Sequence, residues 1–225
     1  MPIYLLNEKI SFPPVDGAED GIVAVGGDLS PERLLLAYRL GIFPWFNEED
    51  PIIWHSPEER FVLLLDDLHV SKSMRRVLNS NTFQITYDAD FAFVIQQCAN
   101  VKRKDEDGTW ITKEMIDAYL ELHYLGFAHS IEVWQDDTIV GGVYGVSLGK
   151  CFFAESMFHT ATNASKFAII KLVELLKQKH FHFVDAQVYT EHVETLGAKE
   201  IPRAQFMQLL QDGLQHESWI GKWII

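Results

Sequence analysis

Three apolar segments with alternating residues, joined by short turns, lie between residues 129 and 158. The turns Asp136-Asp137 and Gly149-Lys150 separate HSIEVWQ, TIVGGVYGVSL and CFFAESMF. Turn residues between alternating apolar runs are typical of antiparallel hairpins. A strongly apolar helical segment follows at 163–180, and then the strand-like segment FHFVDAQV at 181–188. This order predicts three antiparallel strands, a long helix and a strand that returns to the same sheet.

Further helices are predicted on both sides of this core by apolar periodicity. Their ranges are 68–80, 88–100, 113–126 and 203–215, with a short strand at 82–87. The complete order is that of the acetyltransferase-like (GNAT) fold, which predicts an α+β class with a mainly antiparallel sheet. Unrelated α+β proteins share this layout, so the order of elements leaves function open.

Residues 1–62 differ from the rest, being rich in Gly, Pro and aromatic residues. One helix is predicted there, with Ser30 as N-cap, Pro31 at its first position and Gly41 as its stop. A turn-dense loop is predicted at 43–60. The change of periodicity near residue 62 predicts two domains, a small one at 1–62 and a larger one at 63–225.

The formal net charge of −13 argues against a broad basic surface for nucleic acid. Any such contact must use local clusters, and two short basic runs occur at 71–76 and 101–104. On a helix, Lys72, Arg75 and Arg76 share one face, although a solvated surface is the common explanation for such short clusters.

Neither a membrane span nor a structural metal site is indicated. No apolar run approaches the roughly 20 residues of a spanning helix, and the N-terminus does not resemble a signal peptide. Cys98 and Cys151 lie far apart and lack the CxxC spacing of a zinc site. We therefore expect a cytoplasmic monomer without membrane contact, metal or cofactor.

A polar site is predicted where two strands carry carboxylates among apolar residues. On a strand, Asp185 and Gln187 point to one face, and Phe153, Glu155 and Met157 share a face of CFFAESMF. If the strands are neighbours, Glu155, Asp185 and Gln187 converge on a cleft that favours a cationic amine. A solvent-facing strand side is the alternative for Asp185 and Gln187.

A GNAT enzyme that uses acyl-CoA should carry a glycine-rich turn before its long helix, where backbone N–H groups receive the pyrophosphate. The corresponding connection, SMFHTATNASK, contains no glycine. This argues for a different acyl donor. No serine or cysteine has the context of a catalytic triad either.

The sequence resembles the bacterial leucyl/phenylalanyl-tRNA–protein transferases over about residues 1 to 210. The resemblance is carried, in order and spacing, by GDLSPERLLLAYRLGIFPWF, DPIIWHSPEER, GTWIT, GFAHSIEVW, GGVYGVSLG, FFAESMF, NASK, VDAQV and LGAKEIPR. It implies a small N-terminal α/β domain packed on a GNAT-like C-terminal domain. It also implies transfer of Leu, Phe or Met from aminoacyl-tRNA to proteins with N-terminal Arg or Lys, which marks them for N-end-rule degradation.

The resemblance implies roles for individual residues. Asp185 and Gln187 match the catalytic pair, with Glu155 as their partner in the acceptor site. Trp110, together with Trp45, matches the aromatic residues that bind the 3′ adenosine of the tRNA. The apolar pocket for the donated side chain is matched by Val143, Phe152, Met157, Ile169, Leu172 and Val184. Core packing is the alternative for these tryptophans and apolar residues. Lys72, Arg75 and Arg76 are the candidates for contacts to the tRNA backbone.

The donor ester is already activated, so this transfer requires no ATP or metal. We expect Asp185 to accept or order a proton, and Gln187 to position the amine or the developing oxyanion. Two alternatives stay open: an acyltransferase that uses acyl-CoA, and a non-catalytic module that binds basic N-termini or tRNA ends.

Overall fold

The computed structural model describes residues 4–101 and 110–224. Eleven β-strands and seven α-helices are described. The strands are β1 Tyr4–Leu6, β2 Ile22–Gly26, β3 Phe43–Pro44, β4 Ile53–His55, β5 Glu59–Leu64, β6 Gln84–Tyr87, β7 Ala128–Gln135, β8 Thr138–Leu148, β9 Cys151–His159, β10 Phe183–Gln187 and β11 Lys199–Pro202. The helices are α1 Pro31–Arg39, α2 Lys72–Leu78, α3 Phe91–Ala99, α4 Lys113–Tyr124, α5 Ala164–Gln178, α6 Glu191–Glu194 and α7 Arg203–Leu214.

These strands form two sheets. The small sheet has the order β1-β2-β4-β3, and the large one the order β11-β5-β10-β9-β8-β7-β6. In the described part of the large sheet, β9 and β10 form the one parallel pair, and the other pairs are antiparallel. The predicted α+β class and mainly antiparallel sheet are therefore confirmed, and the meander, α5 and returning strand follow the predicted GNAT-like order.

The N-terminal region contains more regular structure than the sequence indicated. The segment predicted as a loop at 43–60 contains β3, β4 and the start of β5, so that prediction was wrong. Three-residue strands have little periodicity of their own and form because the small sheet pairs them. The sheets divide between His55 and Glu59. The two-domain division stays a proposal, and its boundary would fall a few residues before 62.

Helix ends follow local capping chemistry where a side chain can reach an N–H group. Ser71, Asp90 and Thr112 accept hydrogen bonds from the first turns of α2, α3 and α4. Ser30 precedes α1 as predicted, but its hydroxyl contacts Asp28 instead of capping the helix. Helix α6 was not predicted, and each of the other described α-helices lies within its predicted range, shortened by one or more residues.

The large sheet has an apolar core on each face. Helix α5 covers one face, with Phe152, Ala168 and Leu172 in the same cluster. Helices α1, α3 and α4 belong to the cluster on the other face, which includes Phe153. A Cβ added at Gly141 would lie 2.6 Å from the Ala164 Cβ, so the missing side chain lets β8 approach the start of α5.

Candidate active site

A cavity of about 520 Å³ opens where β9, β10 and the first half of α5 meet the loops around Trp45 and Trp110. Eight residues named in the sequence analysis line it: Trp45, Trp110, Glu155, Met157, Ile169, Leu172, Val184 and Gln187. Val143 and Phe152 are fully buried in the core behind α5. Asp185 is also fully buried and lies outside the described lining.

Glu155 lies at a β-bulge in β9. Tyr144 pairs with Ser156 and Gly145 pairs with Ala154, so Glu155 is the additional residue of β9. Because of the bulge, the side chains of β9 do not alternate between the two faces of the sheet as predicted. Phe153 belongs to the cluster around Tyr38, whereas Met157 packs on the α5 side with Phe152 and Ala154. Met157 therefore lies on the opposite face of β9 from Phe153.

The Glu155 carboxylate is only 8% exposed and accepts three hydrogen bonds. The Tyr38 hydroxyl and Gln187 Nε2 each donate to Oε1 at 2.7 Å, and the Tyr119 hydroxyl donates to Oε2 at 3.1 Å. The two tyrosine hydroxyls are also in contact with each other. Because each has one proton, a hydrogen bond between them takes the place of one of the two donated to Glu155. These contacts offset part of the cost of placing a carboxylate among apolar residues.

Burial governs the protonation of Glu155. Desolvation raises the pKa of Glu155 from 4.5 to about 7, although the hydrogen bonds from Tyr38, Tyr119 and Gln187 lower it. The carboxylate therefore gains or loses its proton near physiological pH, as a residue that exchanges protons with a substrate should.

Gln187 ends β10 in an uncommon backbone conformation. Its φ of 64° lies in the left-handed region, and the Val188 N–H donates to the Ala186 carbonyl at 2.7 Å across it. The Gln187 N–H donates to Asp185 Oδ1 at 2.9 Å. This tight turn aims the amide at Glu155, and such strained backbone persists only where its surroundings hold it.

Asp185 forms a buried ion pair with Arg60 of β5. Arg60 Nε donates to Oδ1 at 2.9 Å and Nη2 donates to Oδ2 at 2.6 Å. The guanidinium carbon lies 4.6 Å from the Phe43 ring centroid and 4.4 Å from that of Phe206. Both carboxylate oxygens of Asp185 thus accept hydrogen bonds, and the Gln187 N–H links the residue to the cavity.

An apolar slot, formed by Met157, Ile169, Leu172, Val184 and Val193, continues from the Glu155–Gln187 pair. Ile169 and Leu172 are three positions apart on α5 and share one helix face. The slot has the size class and apolar lining of a small-molecule site.

The two tryptophans lie at the cavity with different exposure. Trp110 is 8% exposed, whereas Trp45 is 39% exposed. The His55 ring lies 5.7 Å from the Trp45 ring and donates from Nε2 to the Trp45 carbonyl at 3.0 Å, which holds the tryptophan backbone in place.

A second polar group lines the cavity at the start of α5. The Ser165 hydroxyl lies 3.2 Å from His159 Nδ1 and 3.2 Å from His192 Nε2. Burial lowers the pKa of His192 to about 4, with smaller effects from Lys166 and His159. His192 is therefore neutral at physiological pH.

The candidate tRNA contacts lie elsewhere. Lys72, Arg75 and Arg76 are exposed on α2, outside the described cavity lining. Of the second basic run, 102–104 lie outside the described residues. In the described ranges, no group of three or more His, Cys, Asp or Glu residues is arranged to hold a metal ion, and no helix is long and apolar enough to cross a membrane.

The sequence analysis missed Arg60, Tyr38 and Tyr119. A signal for Arg60 exists, since it directly precedes the apolar run FVLL, and an arginine so placed in a buried strand needs an acid partner. For Tyr38, nothing in the sequence indicates that its hydroxyl meets Tyr119.

Comparison with known proteins gives consistent results. The family model described as "Leucyl/phenylalanyl-tRNA protein transferase" matches residues 62–211, and that of the corresponding N-terminal domain matches residues 27–58. A leucyl/phenylalanyl-tRNA–protein transferase of Syntrophus aciditrophicus is 53% identical over 99% of this chain and 94% of its own length. That of Flavobacterium johnsoniae is 52% identical over 93% of this chain and 99% of its own length.

Among solved structures, an aminoglycoside acetyltransferase from soil metagenomic DNA covers 51% of this chain and 84% of its own length, with 14% identity and a TM-score of 0.36. A likeness this low supports no conclusion about function. The sequence relatives do support such a conclusion, because they are about half identical to this chain over nearly its whole length. The chain belongs to the leucyl/phenylalanyl-tRNA–protein transferase family.

Proposed function

We propose that this protein transfers Leu, Phe or Met from aminoacyl-tRNA to proteins with N-terminal Arg or Lys. The acceptors would thereby be marked for N-end-rule degradation. The protein would act as a monomer in the cytoplasm, where charged tRNA is present. One observation carries the assignment: the hydrogen-bonded Glu155–Gln187 pair lies at the opening of the apolar slot, in a cavity that two tryptophans also line.

Each part of the donor finds matching chemistry in this cavity. The slot suits an unbranched or γ-branched apolar side chain. The exposed face of Trp45, with Trp110 beside the cavity, offers an aromatic surface to the unpaired terminal adenine, and such stacking contributes about 1–3 kcal/mol per base. The ester carbonyl would then lie near Gln187, whose amide can stabilise the developing oxyanion.

Glu155 is the better candidate for the proton acceptor, in place of Asp185. The Arg60 guanidinium and the Gln187 N–H occupy both Asp185 oxygens, so we assign Asp185 a positioning role through Gln187. Glu155 can take a proton from the acceptor ammonium, and the amine then attacks the ester carbon. As the amide bond forms, the carbon–oxygen bond to the ribose breaks, and the ribose oxygen takes up a proton.

The acceptor contributes a positive charge and an α-amine whose ordinary pKa is about 7.7–8. An ionised Glu155 attracts such a chain end and holds it against the ester, and this proximity can supply a large part of the rate gain. The chemistry uses the energy of the existing ester bond and therefore calls for no cofactor.

The test is transfer of radiolabelled Phe from Phe-tRNA to a peptide that begins with Arg. We expect a labelled product with this peptide and none with a matched peptide that begins with Glu. Turnover of acetyl-CoA without transfer from tRNA would instead identify a GNAT acyltransferase, and binding of either substrate without product would identify a binding module.

A further inference from the structure

The polar group at the start of α5 has no part in the reaction described above. It consists of His159 at the end of β9, Ser165 in the first turn of α5 and His192 in α6. All three residues line the cavity, and we call them the His-Ser-His chain. The sequence offered no reason to connect residues 159, 165 and 192, because three separate elements bring them together.

The position of the chain relative to the apolar slot is set by α5. Ser165 lies four residues before Ile169, and Ile169 lies three residues before Leu172, so all three share one helix face. One helical turn of about 5.4 Å therefore separates Ser165 from the first slot residue. The His-Ser-His chain therefore lies about one helical turn from the slot and adds a polar group to the cavity besides Glu155 and Gln187.

The hydrogen-bonding capacity of the chain follows from its chemistry. A serine hydroxyl has one proton, so it donates to one of the two rings and accepts from the other. When both rings are neutral, the ring that donates to Ser165 keeps a free lone pair on its other nitrogen. The ring that accepts from Ser165 carries an N–H there instead. The chain always presents one acceptor and one donor.

One of these two arrangements places the acceptor on His192. In it, His192 Nε2–H donates to Ser165 and the hydroxyl donates to His159 Nδ1, which leaves the lone pair on His192 Nδ1. The low pKa of His192, about 4, keeps this lone pair available at physiological pH. The described structure records no other polar contact of the His192 ring.

The donor has one group that needs such an acceptor. When its side chain fills the slot, three groups leave its α-carbon at the opening: a hydrogen atom, the ester and the free α-amino group. The ester belongs beside Gln187, so the α-amino group is left to the other polar wall. We propose that the His-Ser-His chain binds the free α-amino group of the donated residue through His192, a role that rests on the proposed function.

This binding would select the donor. An aminoacyl-tRNA with a free amine gains the contact, whereas a donor that lacks the amine or carries an acyl group on it does not. A hydrogen bond to a charged group typically contributes enough to change rates by about tenfold or more. His192, Ser165 and His159 are positioning residues in this scheme, since bond formation takes place at the ester.

The test compares Phe-tRNA with 3-phenylpropionyl-tRNA, which has the same ring and ester but no amine. The two esters differ in intrinsic reactivity, and this difference is the same for every enzyme variant. The ratio of their kcat/KM values, compared between variants, therefore isolates the contact with the amine. We expect the wild-type protein to prefer Phe-tRNA, and His192→Phe to lower this preference about tenfold or more. The KM for an Arg-peptide should stay the same.

Two further variants separate positioning from a structural effect. His192→Asn retains a hydrogen-bond acceptor at the δ position and should keep a larger share of the preference than His192→Phe. His182→Phe is the control, because His182 lies outside the cavity lining, and its preference should equal that of the wild type. Thermal unfolding shows whether each variant is folded.

An equal preference in the wild type and His192→Phe would overturn the inference while leaving the proposed function intact. So would a wild-type protein that uses both donors equally. Absence of transfer from Phe-tRNA by the wild-type protein would overturn the proposed function, and the inference with it.

Discussion

The pKa of Glu155 lies close to physiological pH, so small changes in its surroundings alter the charge of its carboxylate. Desolvation raises its pKa to about 7, and three donated hydrogen bonds limit that rise. The Tyr38 hydroxyl is one of the three. Tyr38 is fully buried, so removing its hydroxyl leaves no opening through which bulk water could replace it.

Tyr38→Phe should therefore raise the pKa of Glu155 and shift the pH dependence of transfer. Because ionised Glu155 is the active form, kcat/KM for an Arg-peptide should rise through about pH 7 in the wild type and at higher pH in the variant. The ratio of wild-type to variant rates should be larger at pH 6 than at pH 8.5. The ionisation of the peptide amine affects both proteins equally.

Tyr124→Phe is a suitable control, since Tyr124 is 89% exposed and should give the wild-type profile. A ratio for Tyr38→Phe that does not change with pH would contradict the role given to Glu155.

At the scale of one element, helix α5 combines core and slot residues. Leu172 and Leu176 are one helical turn apart and both are fully buried. Leu172 lines the cavity, whereas Leu176 lies in the core outside the described lining. Leu→Ala at either position should destabilise the protein by about 2–5 kcal/mol, but only one change enlarges the slot.

We expect Leu172→Ala to raise the ratio of kcat/KM for Phe-tRNA to that for Leu-tRNA. The smaller Leu side chain loses contact with the wall, and one methylene of fit is worth roughly 1–3 kcal/mol. Competition between the two charged tRNAs measures this ratio directly. Leu176→Ala should leave it unchanged, and equal shifts in both variants would contradict the assignment of the slot.

Helix α2 presents Lys72, Arg75 and Arg76 to solvent. Replacing all three by Ala should raise the KM for Phe-tRNA and weaken its dependence on salt, since each lost phosphate contact lowers the slope of log affinity against log salt by about 0.9. Arg39, Lys177 and Lys199 are also exposed and lie outside α2. Their triple replacement is the matched control, and an equal effect of both triple variants would refute a specific role for α2.

The elements differ in how well the sequence predicts them. The meander of β7 to β9 and the helix α5 were predicted because long periodic segments and turn residues carry local information. The strands β5 and β11 were missed because the strands that β5 pairs with are distant in sequence and β11 has only four residues. The bulge at Glu155 follows from register, which depends on the whole sheet, and so the predicted position of Met157 was wrong.

For the site, the sequence indicated which side chains approach one another but not what holds them. Glu155 and Gln187 were placed on neighbouring strands, as found, because both strands have clear alternation. Tyr38 and Tyr119, which donate to Glu155, and Arg60, which pairs with Asp185, come from segments more than one element away, and no spacing rule connects them. Pairing across the fold is a tertiary property.

At the scale of the molecule, Arg60 of the large sheet contacts the small sheet and supports the site. It packs on the Phe43 ring of β3, donates to the Gly41 carbonyl at 3.1 Å and pairs with Asp185 of β10. The cation is 1% exposed, and its carboxylate partner is the residue that positions Gln187.

Arg60→Met alone and Asp185→Leu alone should each cost about 3–5 kcal/mol, since each leaves one buried charge unpaired. The double variant should recover much of this loss, because two apolar residues then pack together. Transfer should stay slow in the double variant, because the Gln187 N–H has lost its acceptor. Urea unfolding and single-turnover kinetics measure these two effects, and recovery of both would show that Asp185 serves stability alone.

The location of β5 in the large sheet also bears on how the chain acquires activity during synthesis. Residues 59–64 leave the ribosome early, yet their neighbours in the sheet are residues 183–187 and 199–202. Until residues 183–187 and 199–202 are synthesised, the hydrophobic strand β5, with the unpaired cation of Arg60, lacks its partner strands in the large sheet. Closing the long loop between β5 and these segments is slow. A nascent chain that stops short of residue 202 would therefore lack a partner strand of β5, and the ability to modify other proteins would be acquired only after residues 183–202 have been translated.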